Sequence, residues 1–211
     1  MNPGASRGRC GSGLLSRGPA DDGARMWTLK LVPQPTQPDG FCHADIDALS
    51  GGGLQYELLD GTLLVTPPQG SAHHAATAAC LRLLVASCPM QLWALSGPVD
   101  YRPNHLLSLR TDVMACRRED FLGTTIEQPP LLAIEVLTST TRVMDVHVKR
   151  ELYEQTGVTS YWIFDPIDQV LTVLELVDGV YVERAVVKGD DVFEAELPFA
   201  VRVVPAELVS R

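Results

Sequence analysis

Apolar runs along the chain predict β-strands, and the breaks between them predict two hairpins. Runs at residues 56–59 and 62–65 flank one Asp-Gly pair, and runs at residues 170–177 and 180–187 flank another. A two-residue Asp-Gly connection between such runs is a strong hairpin signal, because both residues tolerate the backbone angles that a tight turn needs. The sequence therefore predicts one hairpin early in the chain and another late.

Further strands are predicted where side-chain character alternates or where a short run is buried. Residues 107–115 alternate in character, whereas residues 131–137 are nearly all apolar. A nearly continuous apolar run suits a central strand that is covered on both faces. Shorter strands are predicted at residues 161–164, 192–197 and 200–204.

Apolar residues at helical spacing predict helices at residues 45–49, 73–87 and 142–156. The resulting order is hairpin, helix, two strands, helix, strand and hairpin. This order predicts a fold of helices and strands, α/β in the broad sense and α+β in detail. A mixed sheet is accompanied by a few helices, and strands and helices do not alternate regularly.

Composition divides the chain into two parts. Residues 1–40 are rich in Gly, Ser, Arg and Pro without apolar periodicity, which predicts a disordered N-terminal extension, and residues 41–208 have the length of one domain. No apolar run approaches the roughly 20 residues that span a bilayer, and no secretory signal is visible. We therefore expect a cytoplasmic protein without a membrane partner.

Charge and cysteine spacing limit the functional classes. The net charge is −9, and the Arg-rich N-terminal segment leaves the rest still more acidic, which disfavours tight non-specific binding of nucleic acid. It does not exclude a nuclease, because a bound metal ion reverses the local sign of charge. The five cysteines are scattered without CxxC pairs, which argues against a disulfide framework or a structural zinc site.

Glu135 is the most informative single residue, because it lies in the apolar run at residues 131–137. A buried carboxylate is costly unless it is paired or bound to metal. It either binds a cation with Asp112, or pairs with an Arg or Lys, or lies near water at the strand end. Two converging carboxylates would recruit a cation, and all-oxygen ligation suits Mg²⁺ better than zinc.

Other polar residues permit more than one interpretation. Lys149 lies four residues after Asp145, so spacing alone favours an exposed ion pair on the helix surface, although Lys149 leaning over the sheet is the alternative. Glu57 fits an ordinary strand residue. His73, at the head of the second helix, fits either a structural role or a phosphate contact.

Taken together, these residues resemble the Uma-type family of restriction endonucleases, which belongs to the PD-(D/E)XK nuclease superfamily. The resemblance covers roughly residues 41–208 and implies a restriction-endonuclease-like core with added hairpins. It also implies DNA cleavage that depends on Mg²⁺ or Mn²⁺. The matching residues are Tyr56-Glu57-Leu58-Leu59-Asp60-Gly61, a His at the head of the next helix, Asp112-Val113, Glu135-Val136-Leu137, Asp145, Lys149, Tyr153, Gly157-Val158 and Tyr161-Trp162-Ile163-Phe164-Asp165-Pro166.

The resemblance reverses the preference for a surface role of Lys149. In most of the superfamily the lysine follows the acidic residue by two positions, where this chain has Leu137, and Lys149 matches the lysine that this family places on the next helix. Thr111 stands where a proline usually precedes the aspartate. We expect this departure to matter little, because the residue supplies no ligand.

The implied mechanism assigns a role to each candidate. Asp112 and Glu135 would hold the metal, with Glu57 as a third acidic ligand or a supporting group. Lys149 would orient the attacking water, and His73 would contact phosphate. A homodimer would supply the two sites needed to cut both DNA strands. The alternative is a catalytically silent nuclease-fold module that binds a protein or nucleic acid, which the acidic charge favours.

Overall fold

The computed structural model describes residues 30–32, 40–49, 53–97, 99–121 and 123–209. The extension predicted at residues 1–40 therefore lies outside the described residues, except for residues 30–32 and Gly40. In chain order the strands are β1 (Lys30–Val32), β2 (Gln55–Leu59), β3 (Thr62–Thr66), β4 (Leu92–Ser96), β5 (Asp100–Tyr101), β6 (Leu109–Arg110), β7 (Val113–Arg117), β8 (Thr125–Ile126), β9 (Leu132–Val136), β10 (Ser160–Asp165), β11 (Val170–Val177), β12 (Val180–Lys188), β13 (Phe193–Ala195) and β14 (Val201–Val203). The helices are α1 (His43–Ala48), α2 (Ser71–Ser87), a π-helix (Met144–Lys149) and α3 (Arg150–Gln155), with 3-10 turns at Arg118–Asp120 and Pro205–Leu208.

A six-stranded mixed sheet with the order β12-β11-β10-β9-β7-β4 forms the centre of the fold. Within this sheet only β9 and β10 run parallel to each other, and every residue of both strands is buried. The predicted central strand is therefore confirmed as β9. The two predicted hairpins are confirmed as β2–β3 and β11–β12.

Two apolar cores lie on opposite faces of this sheet. On one face, α2 packs with β13 and β14 against alternate residues of β9, namely Leu132, Ile134 and Val136. On the other face, the π-helix and α3 pack with two three-stranded sheets, β1-β3-β2 and β6-β5-β8, against Ala133 and Leu137. The side chain of Glu135 shares this second face, because successive residues of a strand point to opposite sides.

The strand predicted at residues 107–115 is wrong in one respect that bears on function. It is two strands, with β6 in a small sheet beside β5 and β7 in the central sheet, and Thr111 and Asp112 form the break between them. Side-chain alternation continues through the break, so the pattern could not reveal that the chain changes sheets there. Asp112 consequently lies at a bend rather than inside a strand.

The helix predicted at residues 142–156 is present, but its first half is a π-helix over Met144–Lys149 that continues into α3. The hydroxyl of Tyr161 donates to the backbone oxygen of Asp145 at 2.8 Å and so anchors this segment to the sheet. Single π-turns within α-helices are frequent at functional sites.

No helix among the described residues is both long enough and apolar enough to cross a bilayer.

A close backbone approach before α1 gives a test of the fold around the first hairpin. Gly40 has φ +73°, and a Cβ added there would lie 2.7 Å from the Gly61 oxygen, whereas Gly157 has φ +85° with open space around it. We expect Gly157→Ala to lower the free energy of unfolding by about 1–2 kcal/mol, the cost of the left-handed conformation alone. Gly40→Ala should cost more, because the clash adds to that cost. Urea denaturation measures both, and equal losses would contradict the close approach.

Candidate active site

The register of the central sheet brings Asp112 and Glu135 together. Strands β7 and β9 are antiparallel, with Val113 opposite Ile134. Continuing that register by one residue places Asp112 opposite Glu135 at the end of the ladder. Residues directly opposite each other in an antiparallel pair are close neighbours. The observed pairing thus places the two residues at the same end of the ladder, and the convergence of their carboxylates stays a prediction.

Glu135 is 2% exposed, and its two hydrogen-bond donors reach the same oxygen. The hydroxyl of Tyr153 donates to Oε1 at 2.9 Å, and the ammonium of Lys149 donates to the same atom at 3.2 Å. Among the residues that the structure describes, no donor reaches the other oxygen, Oε2. That oxygen is therefore available to a ligand that the protein does not supply.

Lys149 is buried within an acidic cluster that consists of Glu57, Glu135 and Asp145, so the exposed ion pair that spacing alone favoured is wrong. Its Nζ lies 3.0 Å from Glu57 Oε1, 3.2 Å from Glu135 Oε1 and 3.5 Å from Asp145 Oδ1. It also donates to the backbone oxygen of Arg110 at 3.3 Å. Asp145 is buried as well, so the i, i+4 pair points into the fold and joins the helix to the sheet.

Asp112 is the more open of the two opposing carboxylates, with a side chain that is 22% exposed. Its Oδ2 accepts from the backbone N–H of Val136 at 2.8 Å and lies 3.1 Å from Nε2 of His73. Within the described parts of the chain, Oδ1 accepts no hydrogen bond. His73 therefore contacts Asp112 from α2, and its other ring nitrogen, Nδ1, is buried with no partner among the described residues.

Glu57 supports Lys149 from the first hairpin. It is 4% exposed, and its Oε1 accepts from the backbone N–H of Arg110 at 2.8 Å and forms an ion pair with the ammonium of Lys149 at 3.0 Å. The carboxylate therefore connects β2, the segment that precedes Asp112, and the π-helix. This arrangement suits a group that holds the lysine in place.

Burial and mutual repulsion give the cluster an unusual protonation balance. Burial raises the pKa of Glu135 well above its usual value, and Lys149 opposes the shift. Burial likewise raises the pKa of Asp145 to about 6, against Lys149 and a hydrogen bond from Thr141. Burial lowers the pKa of Lys149, but Glu135, Glu57 and Asp145 together raise it well above its usual range. The ammonium is therefore charged at neutral pH, and Glu135 and Asp145 retain their protons more strongly than exposed carboxyl groups do.

The donor chemistry of Asp112 and Glu135 fits a hard divalent cation. Each carboxylate has one oxygen held by the protein and a second oxygen that no described donor reaches. Mg²⁺ is commonly bound by one or two carboxylates together with water and substrate phosphates. Within the described residues, no group of three or more His, Cys, Asp or Glu side chains is placed to hold a metal ion, so a cation here would take its further ligands from water and substrate. The ammonium of Lys149 already lies among the oxygens of Glu57, Glu135 and Asp145.

Three residues at the site received no role from sequence reasoning. Asp145 and Tyr153 were singled out by helical spacing and by the resemblance, but spacing does not show that both face Glu135. Thr111 was expected to matter little, yet its Oγ1 lies 3.0 Å from the hydroxyl of Tyr153. The available signal was that Asp145, Lys149 and Tyr153 recur every four residues on one helix face.

Comparison with known proteins identifies relatives of this chain. Residues 43–206 match the model of the Uma2 family, described as "Putative restriction endonuclease". The crystal structure of a putative nuclease belonging to DUF820 from Anabaena variabilis ATCC 29413 is similar, with a TM-score of 0.65 and 16% identity over 80% of this chain and 97% of that chain. At this identity the likeness shows the fold, and it confirms the predicted fold class. Comparison with curated proteins finds no match.

Removing the buried cation should destabilise the protein strongly. Lys149→Met would leave the carboxylates of Glu57, Glu135 and Asp145 without their common partner, which typically costs about 3–5 kcal/mol. The matched control Arg150→Met removes an exposed cation from the next position and should change stability by no more than about 0.5 kcal/mol. Urea denaturation at pH 7 with EDTA compares them. Equal losses would show that the cluster does not depend on the lysine.

The raised pKa of Asp145 predicts a specific pH dependence. An acid whose pKa is raised by folding binds its proton more tightly in the folded state, so the free energy of unfolding falls as pH rises from its ordinary pKa of 3.8 to about 6. Asp145→Asn should remove that part of the slope. Denaturation at several pH values with EDTA measures the difference from wild type, with Asp190→Asn at an exposed position as control. A difference between wild type and Asp145→Asn that does not change between pH 4 and 6 would contradict the assignment.

Proposed function

Because the chain belongs to the Uma2 family of putative restriction endonucleases, we propose that it is a Mg²⁺-dependent endonuclease that hydrolyses DNA phosphodiester bonds, with Mn²⁺ as an alternative metal. The observation on which this proposal rests is the pair of opposing carboxylates, Asp112 and Glu135, at the end of the central sheet beside a buried lysine. Two carboxylates at one end of the sheet, with a lysine 3.2 Å from one of them, suit phosphoryl chemistry better than a purely structural ion pair.

Asp112 and Glu135 are the proposed metal ligands, through the oxygens that no described donor reaches. These residues would hold a divalent cation, which would supply a bound water of lowered pKa and offset charge on the phosphate. Asp112, which is partly exposed, would meet the substrate side, whereas Glu135 lies at the buried end of the site. Because Glu135 lies in β9 and Asp112 directly precedes β7, the antiparallel neighbour of β9, the fold sets the positions of the two backbones before any ligand binds.

Lys149 is the proposed cation that offsets the charge that develops on the phosphate, because its three N–H groups already face acceptors of the protein. Its ammonium lies 3.0 Å from Glu57 Oε1 and 3.5 Å from Asp145 Oδ1, and these two carboxylates hold it close to Glu135. A charge fixed in advance costs no reorganisation during the reaction. We therefore propose Glu57 as the group that positions Lys149 rather than as a third metal ligand.

His73 has a second proposed role besides the phosphate contact expected from its sequence position. Its Nε2 lies 3.1 Å from the Oδ2 of Asp112, so the imidazole fixes that carboxylate from the side of α2. Groups that hydrogen-bond a metal ligand orient it and tune its basicity. In both roles His73 acts beside Asp112, the more exposed of the two proposed metal ligands.

A catalytically silent module with the same fold is the second candidate function. The net charge of −9 favours it, because a strongly acidic protein repels nucleic acid at long range. In such a module Lys149 would simply neutralise the buried acids. This candidate predicts neither divalent-cation binding nor cleavage.

Cleavage of plasmid DNA with Mg²⁺ or Mn²⁺ tests the nuclease. We expect wild type to cut, and Asp112→Asn and Glu135→Gln each to lose at least about 100-fold in rate, because each removes one of two metal ligands. Asp168→Asn, an exposed carboxylate on the turn after β10, is the control and should cut like wild type. Titration calorimetry with Mn²⁺ on the same proteins measures binding directly.

The outcomes separate the two candidates. Equal cleavage by all four proteins would place the activity elsewhere or in a contaminant. Neither cleavage nor Mn²⁺ binding by wild type, with normal folding, would favour the silent module.

A further inference from the structure

Buried hydrogen bonds run from Glu135 through Tyr153 to Thr111, the residue that directly precedes Asp112. The tyrosine side chain is fully buried, and its hydroxyl lies 2.9 Å from Glu135 Oε1 and 3.0 Å from Thr111 Oγ1. Thr111 directly precedes Asp112 at the bend between β6 and β7. One hydroxyl therefore touches one ligand and the residue adjacent to the other.

The direction of these hydrogen bonds follows from the number of hydrogen atoms that each group can donate. A phenol has one hydrogen to donate, and an ionised carboxylate can only accept. When Glu135 is ionised, Tyr153 donates to Glu135, and Thr111 donates to Tyr153. Thr111 thus orients the phenol, although it touches neither carboxylate itself.

The hydrogen bond from Tyr153 selects which oxygen of Glu135 is held. The last torsion of a glutamate side chain has only broad preferences, so hydrogen bonds decide where each oxygen points. Both donors to Glu135, Tyr153 and Lys149, reach Oε1. A carboxylate held at Oε1 from two directions presents Oε2 on its remaining side.

We propose that Tyr153, oriented by Thr111, is a positioning residue that fixes Glu135 so that its Oε2 faces the metal. This role rests on the proposed function. It assigns to Tyr153 no contact with substrate, and it makes Thr111 a functional residue of this chain, although Thr111 supplies no ligand. Groups in such positions typically contribute about 10–100-fold to metal affinity.

The chain offers a matched control for the loss of a buried phenol. Tyr153, Tyr161 and Tyr181 form a row, with ring centroids 5.0 and 6.1 Å apart. The hydroxyl of Tyr181 is also buried, but it donates to the backbone oxygen of Val158, away from the carboxylates. Tyr181→Phe therefore removes a comparable hydrogen bond without touching Glu135.

Calorimetric titration with Mn²⁺ on the full chain tests the proposal. Tyr153→Phe should weaken Mn²⁺ binding by about 10–100-fold, and Tyr181→Phe should bind like wild type. Thr111→Val should weaken binding in the same direction but less. The double variant Tyr153→Phe/Thr111→Val should bind no more weakly than Tyr153→Phe alone, because Thr111 acts through the phenol.

Thermal melting accompanies each titration, because a merely structural tyrosine would lower the melting temperature and leave Mn²⁺ affinity unchanged. Wild-type affinity in folded Tyr153→Phe would overturn the role while leaving the metal site in place. So would an equal loss in Tyr181→Phe. If Tyr153→Phe does not fold, Thr111→Val decides, and unchanged affinity there overturns the proposal. Failure of wild type to bind Mn²⁺ would overturn the metal site itself, and with it this role.

Discussion

The ammonium of Lys149 lies within 3.5 Å of three carboxylates that come from the first hairpin, the central sheet and the π-helix. Taking several charges out of water is costly unless their geometry is mutually compensating. The hairpin, the sheet and the helix must therefore dock together for any of these charges to be tolerated. Burial of the cluster therefore depends on packing of the second core.

The position of this cluster depends on where the chain changes sheets. The ladder between β7 and β9 ends at Val113 and Ile134, and the next opposed residues are Asp112 and Glu135. Beyond that point β6 turns away into the small sheet with β5 and β8. The end of the central sheet is consequently lined by polar side chains on well-held backbone, and Asp112 keeps access to solvent.

The carboxylates Asp112, Glu135 and Glu57 share one arrangement: the protein's donors converge on a single oxygen of each. Such convergence restricts rotation of the carboxylate and leaves the second oxygen to another partner. A site organised in this way has its geometry set by the fold before a ligand arrives, as catalytic sites require. Tyr153, Thr111 and His73 take part only as donors or as supports of donors, and their spacing in the sequence does not show which carboxylate each of them supports.

Hydrophobic pattern by itself determined both hairpins, the central strand and the presence of a carboxylate inside that strand. The resemblance added Lys149, which spacing alone had placed on the surface. The tertiary structure decided the break at Asp112, the π-helix, the convergence of Glu57, Glu135 and Asp145 on Lys149, and the hydrogen bond from Tyr153 to Glu135. The physical reason is that periodicity encodes which side of an element is buried. It does not encode the register of the neighbouring strand or the helix that covers it, and these bring distant residues within hydrogen-bonding distance.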